Sequence, residues 1–160
     1  MKEYSQSKAL FHLSKLKDLQ QGQPITPTEI QVDLEAWCND NCSFCAYRID
    51  EGPNNKMLEL IDAKPGKKYD DAKPIGAKTK QSGWDAEWAD ELPRQMVEAG
   101  IPAIELTGGG ESTLWPRFDR LLNNLGKANR DIALVTNGSN LSDKRIDLIC
   151  KNCTWIRISL

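Results

Sequence analysis

The clearest signal along the chain is a change of hydrophobic period. Leu10, Leu13, Leu16 and Leu19 return at every third position with Phe11 beside them, which predicts an amphipathic helix leading into the domain. Ser7 stands as its N-cap, and Gly22 and Pro24 are its stop signals. The period then falls to two. Ile30, Val32 and Leu34 alternate with Gln31, Asp33 and Glu35, the pattern of a strand whose two faces meet different surroundings. The helical period comes back over residues 85–99, where Trp88, Leu92, Met96 and Val97 form the apolar face, Pro93 reads as a break or turn, and Gly100 ends the element.

From there the alternation is regular. Residues 103–106 read as a strand, and Trp115, Phe118, Leu121, Leu122 and Leu125 as a helix. Residues 132–135 read as a third strand, a helix capped by Ser142 runs to about Cys150, and residues 155–160 form a fourth strand. The order βα, βα, βα, β predicts an α/β fold with a parallel sheet and right-handed crossovers. In such folds the chemistry gathers at the C-terminal ends of the strands. A fourth strand that ends the sequence leaves the sheet with an unfinished edge, so the expected architecture is a partial (β/α) barrel, truncated after that strand. Residues 1–27 are its N-terminal helix and lead-in, and residues 28–160 its core.

One segment breaks the pattern. Residues 50–80 hold seven lysines, six acids, three prolines, three glycines and one aromatic, and only the patch Met57, Leu58, Leu60 and Ile61 can bury anything. This composition predicts a loop insertion, 50–82, and because its charges nearly cancel it reads as a solvated loop, not a nucleic-acid patch.

Composition changes the picture only by exclusion. With 160 residues, 39% of them apolar before 11 glycines are added, the chain lies in the globular range and outside the disordered and collagen-like ones. A net charge of −2 argues against an electrostatically driven nucleic-acid binder. No apolar run reaches the length of a membrane span, and the start lacks the apolar centre of a signal peptide, so a cytoplasmic protein is expected.

The candidate chemistry lies in the cysteines. Cys38, Cys42 and Cys45 fall within eight residues, directly after the first strand, while Cys150 and Cys153 form a second, separate pair. Such clustering in a reducing compartment reads as metal binding and not as a disulfide framework. The sole histidine, His12, lies far away in the N-terminal helix. A structural zinc needs four protein ligands, whereas an iron–sulfur cubane held by three cysteines keeps one iron open to a small molecule. Two readings of the triad stand at this point: the open cluster, and a zinc loop that borrows Cys150 or Cys153.

These residues carry a family resemblance. CNDNCSFC resembles the cluster motif of the radical S-adenosylmethionine (radical SAM) enzymes, and TGGGES after the second strand is similar to that superfamily's glycine–glycine–glutamate motif. LVTNG and WIRISL are similar to the third and fourth strands of the branch with peptide-modifying maturases and molybdenum-cofactor-type enzymes. The resemblance covers residues 28–160, interrupted by the insertion.

It implies that Cys38, Cys42 and Cys45 ligate a [4Fe-4S] cluster whose open iron binds the amino and carboxylate groups of S-adenosylmethionine. Phe44 would lie near the adenine. Gly108, Gly109 and Gly110 would form the turn against the methionine moiety, Gly109 and Gly110 letting the backbone approach it, and the Glu111 region would help hold its ammonium. Thr136, Asn137 and Ser159 stand where ribose or carboxylate contacts are made in relatives. The implied activity is reductive cleavage of S-adenosylmethionine to a 5′-deoxyadenosyl radical that modifies a peptide or small-molecule substrate. An electron donor such as a flavodoxin or ferredoxin is implied as a partner, together with a missing C-terminal segment. The sequence departs from the family pattern where Ser112 replaces the usual proline after the glutamate, and where the fifth and sixth strands would follow. The alternative function is a non-catalytic iron–sulfur or zinc-binding module.

Each residue also has a plainer use. Glu111 suits a helix N-terminus as an acid facing the dipole. Cys150 and Cys153, at a helix end, suit small buried apolar positions. Trp37 and Phe44 suit a shield over the loop, and Tyr47 and Arg48 suit an ordinary surface as well as a substrate-facing one.

Overall fold

A computed structural model describes residues 12–35, 38–40, 42, 45 and 84–159. The leading helix, α1, spans Leu13–Gln20, and strand β1 spans Glu29–Asp33. Helix α2 is Trp88–Glu98 and β2 is Ala103–Thr107. After a short 3-10 turn at Ser112–Leu114 come α3, Phe118–Lys127, and β3, Asp131–Thr136. Helix α4, Asp143–Asn152, and β4, Trp155–Ile158, complete the series. The strands lie in the order β1-β2-β3-β4, and all three pairings are parallel. This is the alternating α/β arrangement expected from the periods.

Register shows how the two faces divide. Val32, Leu106 and Leu134 are in register across β1, β2 and β3, as are Ile30, Ile104 and Ile132. These rows lie against the helices, where Leu92, Met96, Phe118, Leu121, Leu122, Leu125 and Ile149 complete one apolar core. The alternate positions carry polar groups, and Gln31 Nε2 donates to Glu105 Oε2 across them at 2.7 Å. The helices therefore cover one face, and the other presents Gln31, Asp33, Glu105 and Thr107.

Two expectations are corrected. Pro93 lies inside α2 and does not break it. A helical proline deprives the carbonyl four residues earlier of its donor. Here that carbonyl, Ala89 O, accepts from Asn124 Nδ2 of α3 at 3.0 Å, so the neighbouring helix supplies the missing bond. Trp115 precedes α3 and does not belong to it; its ring is buried and its Nε1 donates to Trp84 O at 2.8 Å. Other boundaries agree: Gly22 ends α1 and Gly100 ends α2, both with positive φ, and Ser142 caps α4 by accepting from Arg145 N. Leu13, Leu16 and Leu19 of α1 are exposed, so the stripe is present but no described element covers it. Ser7, Leu10, Phe11, Leu160 and the 50–82 insertion lie outside the described residues. No described helix is long and apolar enough to cross a membrane.

Candidate functional site

The C-terminal ends of β1, β2 and β3 send three loops to the same rim of the sheet. The first carries the cysteines, the second the glycines and Glu111, and the third Asn137 to Asn140. Their backbones meet directly, since Gly110 N donates to Glu35 O at 2.9 Å and joins the glycine loop to the end of β1. A Cβ built on Gly108 would stand 2.8 Å from the backbone oxygen of Gly110, closer than real Cβ atoms come. Glycine at 108 is therefore required by the chain's own turn before any ligand is considered.

Glu111 is the centre of this rim. It is 3% exposed, and both carboxylate oxygens are engaged. Oε1 accepts from Thr113 N at 3.1 Å, Thr113 Oγ1 at 2.6 Å and Thr136 Oγ1 at 2.7 Å, while Oε2 accepts from Asn137 N at 2.7 Å. A buried carboxylate needs such donors to replace lost water. Glu111 thus caps the 3-10 turn and pins the loop after β3 to the loop after β2. The carboxylate caps that 3-10 turn, not the helix that begins at Phe118, whose N-cap is Arg117 and whose first-turn acid is Asp119. Ser112, in the place of the family's proline, is buried and donates from Oγ to Thr107 O at 2.6 Å, closing the same turn. Behind it Arg145 Nη1 and Asn140 Nδ2 both donate to Thr113 O, at 3.1 and 2.8 Å.

The cysteine loop is latched to this frame. Asn137 Nδ2 donates to Asn39 Oδ1 at 3.0 Å and also points to Cys38 Sγ at 3.8 Å. Asn39 Nδ2 donates to Ser139 Oγ at 2.7 Å, and Ser139 Oγ donates to Asn137 Oδ1 at 2.7 Å. The three side chains close a ring of hydrogen bonds between two loops that are about a hundred residues apart in sequence. Cys38 Sγ accepts a further bond from Asp40 N at 3.4 Å, and Cys45 N donates to Cys42 O at 3.3 Å.

All three thiols are free and partly buried. Burial pushes the Cys38 thiol above its ordinary value, with the charges of Glu111, Asp40 and Cys45 adding to it and the Asp40 N–H opposing. Burial and then the Asp40 charge raise Cys42 in the same direction. A bound metal would stabilise the thiolate and release the proton to solvent, its charge opposing these effects.

Among the described residues, no three His, Cys, Asp or Glu side chains stand close enough together to hold a metal ion. Ligands of one ion crowd a single point, whereas each cysteine of a cubane binds its own iron and the sulfurs spread more widely. Three thiols on one loop with no imidazole beside them match the second donor set. Cys150 and Cys153 do not join them. They flank the end of α4, next to the start of β4 and so at the opposite end of the sheet from the rim, and Cys153 packs against the core. Burial and the neighbouring Cys150 hold the Cys153 thiol up at about 12, as fits its plainer reading as a small apolar residue, but Cys150 is exposed and that reading is corrected for it.

The other predicted residues are placed as follows. Thr136 is buried, its hydroxyl turned to Glu111, and Gly138 N donates to its Oγ1 at 3.1 Å. Ser159 N donates to Thr136 O at 2.9 Å, which carries the β3–β4 pairing to an exposed end of the rim. Trp37, Phe44, Tyr47 and Arg48 lie outside the described residues. Sequence reading missed Asn39, Thr113, Ser139 and Arg145. For Asn39, Thr113 and Ser139 the signal is that small polar residues follow strand ends, which holds for most loops, and Arg145, inside α4, carries no such signal.

The sequence model described as the radical SAM superfamily matches residues 35–160. Among solved structures, SuiB of Streptococcus suis bound to S-adenosylmethionine superposes with TM-score 0.61 at 16% identity, covering 100% of this chain and 32% of that one. SuiB bound to the precursor peptide SuiA gives 0.60 at 17% identity, covering 96% and 28%. BtrN in complex with AdoMet and 2-DOIA gives 0.54 at 18% identity, covering 82% and 44%. At these identities the likeness is one of fold. The chain spans less than half the length of these structures. No curated protein matches the chain.

Proposed function

Because the chain belongs to the radical SAM superfamily, with which 35–160 aligns, we propose that Cys38, Cys42 and Cys45 hold a [4Fe-4S] cluster and that the glycine rim beside them binds S-adenosylmethionine. The observation that carries this reading is the convergence of three loops on one rim, with the three thiols latched to the frame that Glu111 holds. When bound, the cluster supplies the electron that cleaves S-adenosylmethionine to the deoxyadenosyl radical, which then acts on a peptide or small-molecule substrate. The substrate classes follow the two kinds of neighbour, since SuiB was solved with a precursor peptide and BtrN with a small molecule.

The chain's own residues divide the remaining work. Cys38, Cys42 and Cys45 give up their protons to bind iron. Gly109 and Gly110 offer a backbone without side chains to the methionine moiety, in a turn already fixed by Gly108 and by the Gly110 N–H on Glu35 O. Glu111 and Thr136 keep the two loops at a set separation, and the ammonium of S-adenosylmethionine approaches the rim that Glu111 organises.

Anaerobic reconstitution with iron and sulfide tests the reading. A brown protein with about four irons per chain is expected, lost in Cys42→Ala. A colourless protein with stoichiometric zinc would overturn it. A cluster-bearing chain to which S-adenosylmethionine does not bind in calorimetry would favour the non-catalytic module.

A further inference from the structure

We propose that Asn137 is a positioning residue that aims an amide N–H at the sulfur of Cys38 and so sets the reduction potential of the cluster bound there; this rests on the cluster reading above.

The orientation of the amide is fixed by chemistry, not by choice. Asn137 Oδ1 accepts from both Ser139 N and Ser139 Oγ, at 3.0 and 2.7 Å. A backbone N–H can only donate, so the oxygen of the amide must face Ser139 and its NH2 must face the cysteine loop. That NH2 has two hydrogens and two acceptors before it, Asn39 Oδ1 at 3.0 Å and Cys38 Sγ at 3.8 Å. The longer distance suits the larger sulfur atom. Asn39 completes the ring through Ser139 Oγ at 2.7 Å, which fixes the residue next to the ligand as well as the donor. From behind, the backbone of Asn137 is held by Glu111 Oε2 at 2.7 Å. The donor is thus preorganised by four bonds to residues of three loops, Ser139, Asn39 and Glu111, and none of them requires a metal.

Reduction adds negative charge to the cluster and to its thiolates. A hydrogen bond to a ligand sulfur favours the more negative state and raises the potential. Among the described residues Cys38 receives two such donors, the Asp40 N–H and the Asn137 amide, and of these the second depends on a side chain. Removing it must therefore lower the potential without removing a ligand.

The test is an EPR-monitored redox titration of the reconstituted full chain, with iron counted per chain. In Asn137→Ala the oxidised-to-reduced ratio at a fixed potential is expected to rise about tenfold, which is a fall of about 59 mV for a one-electron couple. Ser139→Ala loosens the ring but leaves the amide in place, so a smaller shift of the same sign is expected, and this variant serves if Asn137→Ala folds poorly. Asn140→Ala removes another amide from the same rim, one that faces Thr113 O, and should leave the potential where it was. Full iron content with unchanged potential in Asn137→Ala, or equal shifts in Asn137→Ala and Asn140→Ala, overturns the proposal while the cluster reading stands. A wild-type chain that takes up no iron overturns both.

Discussion

Strands β3 and β4 are hydrogen-bonded neighbours with similar apolar content and opposite environments. Leu134 and Ile156 are partners in register, yet Leu134 is 0% exposed and Ile156 is 41% exposed. In β3 the residues Ile132, Ala133, Leu134 and Thr136 are all buried. In β4 every residue, Trp155 and Ile158 included, is exposed. A strand's period tells which residues share a face, but what covers that face is decided by elements elsewhere in the chain. Helices α2, α3 and α4 supply the cover for β1 to β3, and among the described residues nothing supplies it for β4.

The comparison is broken or upheld most strongly by one substitution made on both strands. Leu134→Ala should cost about 2–5 kcal/mol, because the site is closed on every side and the cavity cannot collapse fully. Ile156→Ala, its register partner, should cost less than about 1 kcal/mol, since the methyl groups it loses already face water. Urea denaturation of both variants measures the difference. Equal costs would mean that the β4 face is covered in solution.

Glu111 is the polar counterpart of Leu134. Its four accepted bonds explain why a carboxylate is tolerated in the interior of the rim, and they make it intolerant of its closest isostere. In Glu111→Gln the amide NH2 must face either the Asn137 N–H or the Thr113 N–H, and since a backbone N–H can only donate, either choice sets donor against donor. A loss of about 1–3 kcal/mol is expected in the same denaturation assay, with faster amide exchange at Asn137. No loss would show that the rim is held by its backbone alone.

What could be read beforehand follows from the same contrast. Ile30, Val32 and Leu34, or Phe118 with Leu121, Leu122 and Leu125, declare their faces by spacing alone, so the alternation of strands and helices and the rim of the sheet were legible, while the start of α3 was misplaced at Trp115. The α1 stripe shows where that legibility stops, because Leu13, Leu16 and Leu19 carry the same signal with no partner packed on it among the described residues. Pro93 was misread because the donor that rescues its helix is Asn124, from another helix. At the site, the cysteines, the glycine turn and Glu111 were recognisable as motifs. The inward turn of Glu111 and the ring of Asn39, Asn137 and Ser139 were not, since they are relations between loops that no local spacing encodes. Ser112 shows the converse: a departure from the family's pattern whose hydroxyl replaces a rigid ring with a bond to Thr107 O.

The finest test lies at Cys153, where the covering of the β3–β4 side ends. Its thiol packs against the core two residues before Trp155 turns to solvent. In the unfolded chain this thiol loses its proton near its ordinary value of 9.0, but in the folded chain burial and Cys150 hold the proton to about 12. Below pH 9 both states keep the proton, and the stability contributed by the buried neutral thiol is fully present. Between 9 and 12 the unfolded state releases a proton that the folded state retains, so stability falls as pH rises through that window. Water still reaches part of the site, which limits the effect to under about 1 kcal/mol at pH 10. The wild-type chain and Cys153→Val, which fills similar space without titrating, should therefore show parallel stability from pH 7 to 8.5 in urea and diverge above 9, with the variant losing less. Curves that stay parallel to pH 11 would place the thiol in water, and the boundary between the covered and uncovered strands would then lie before Cys153 instead of after it.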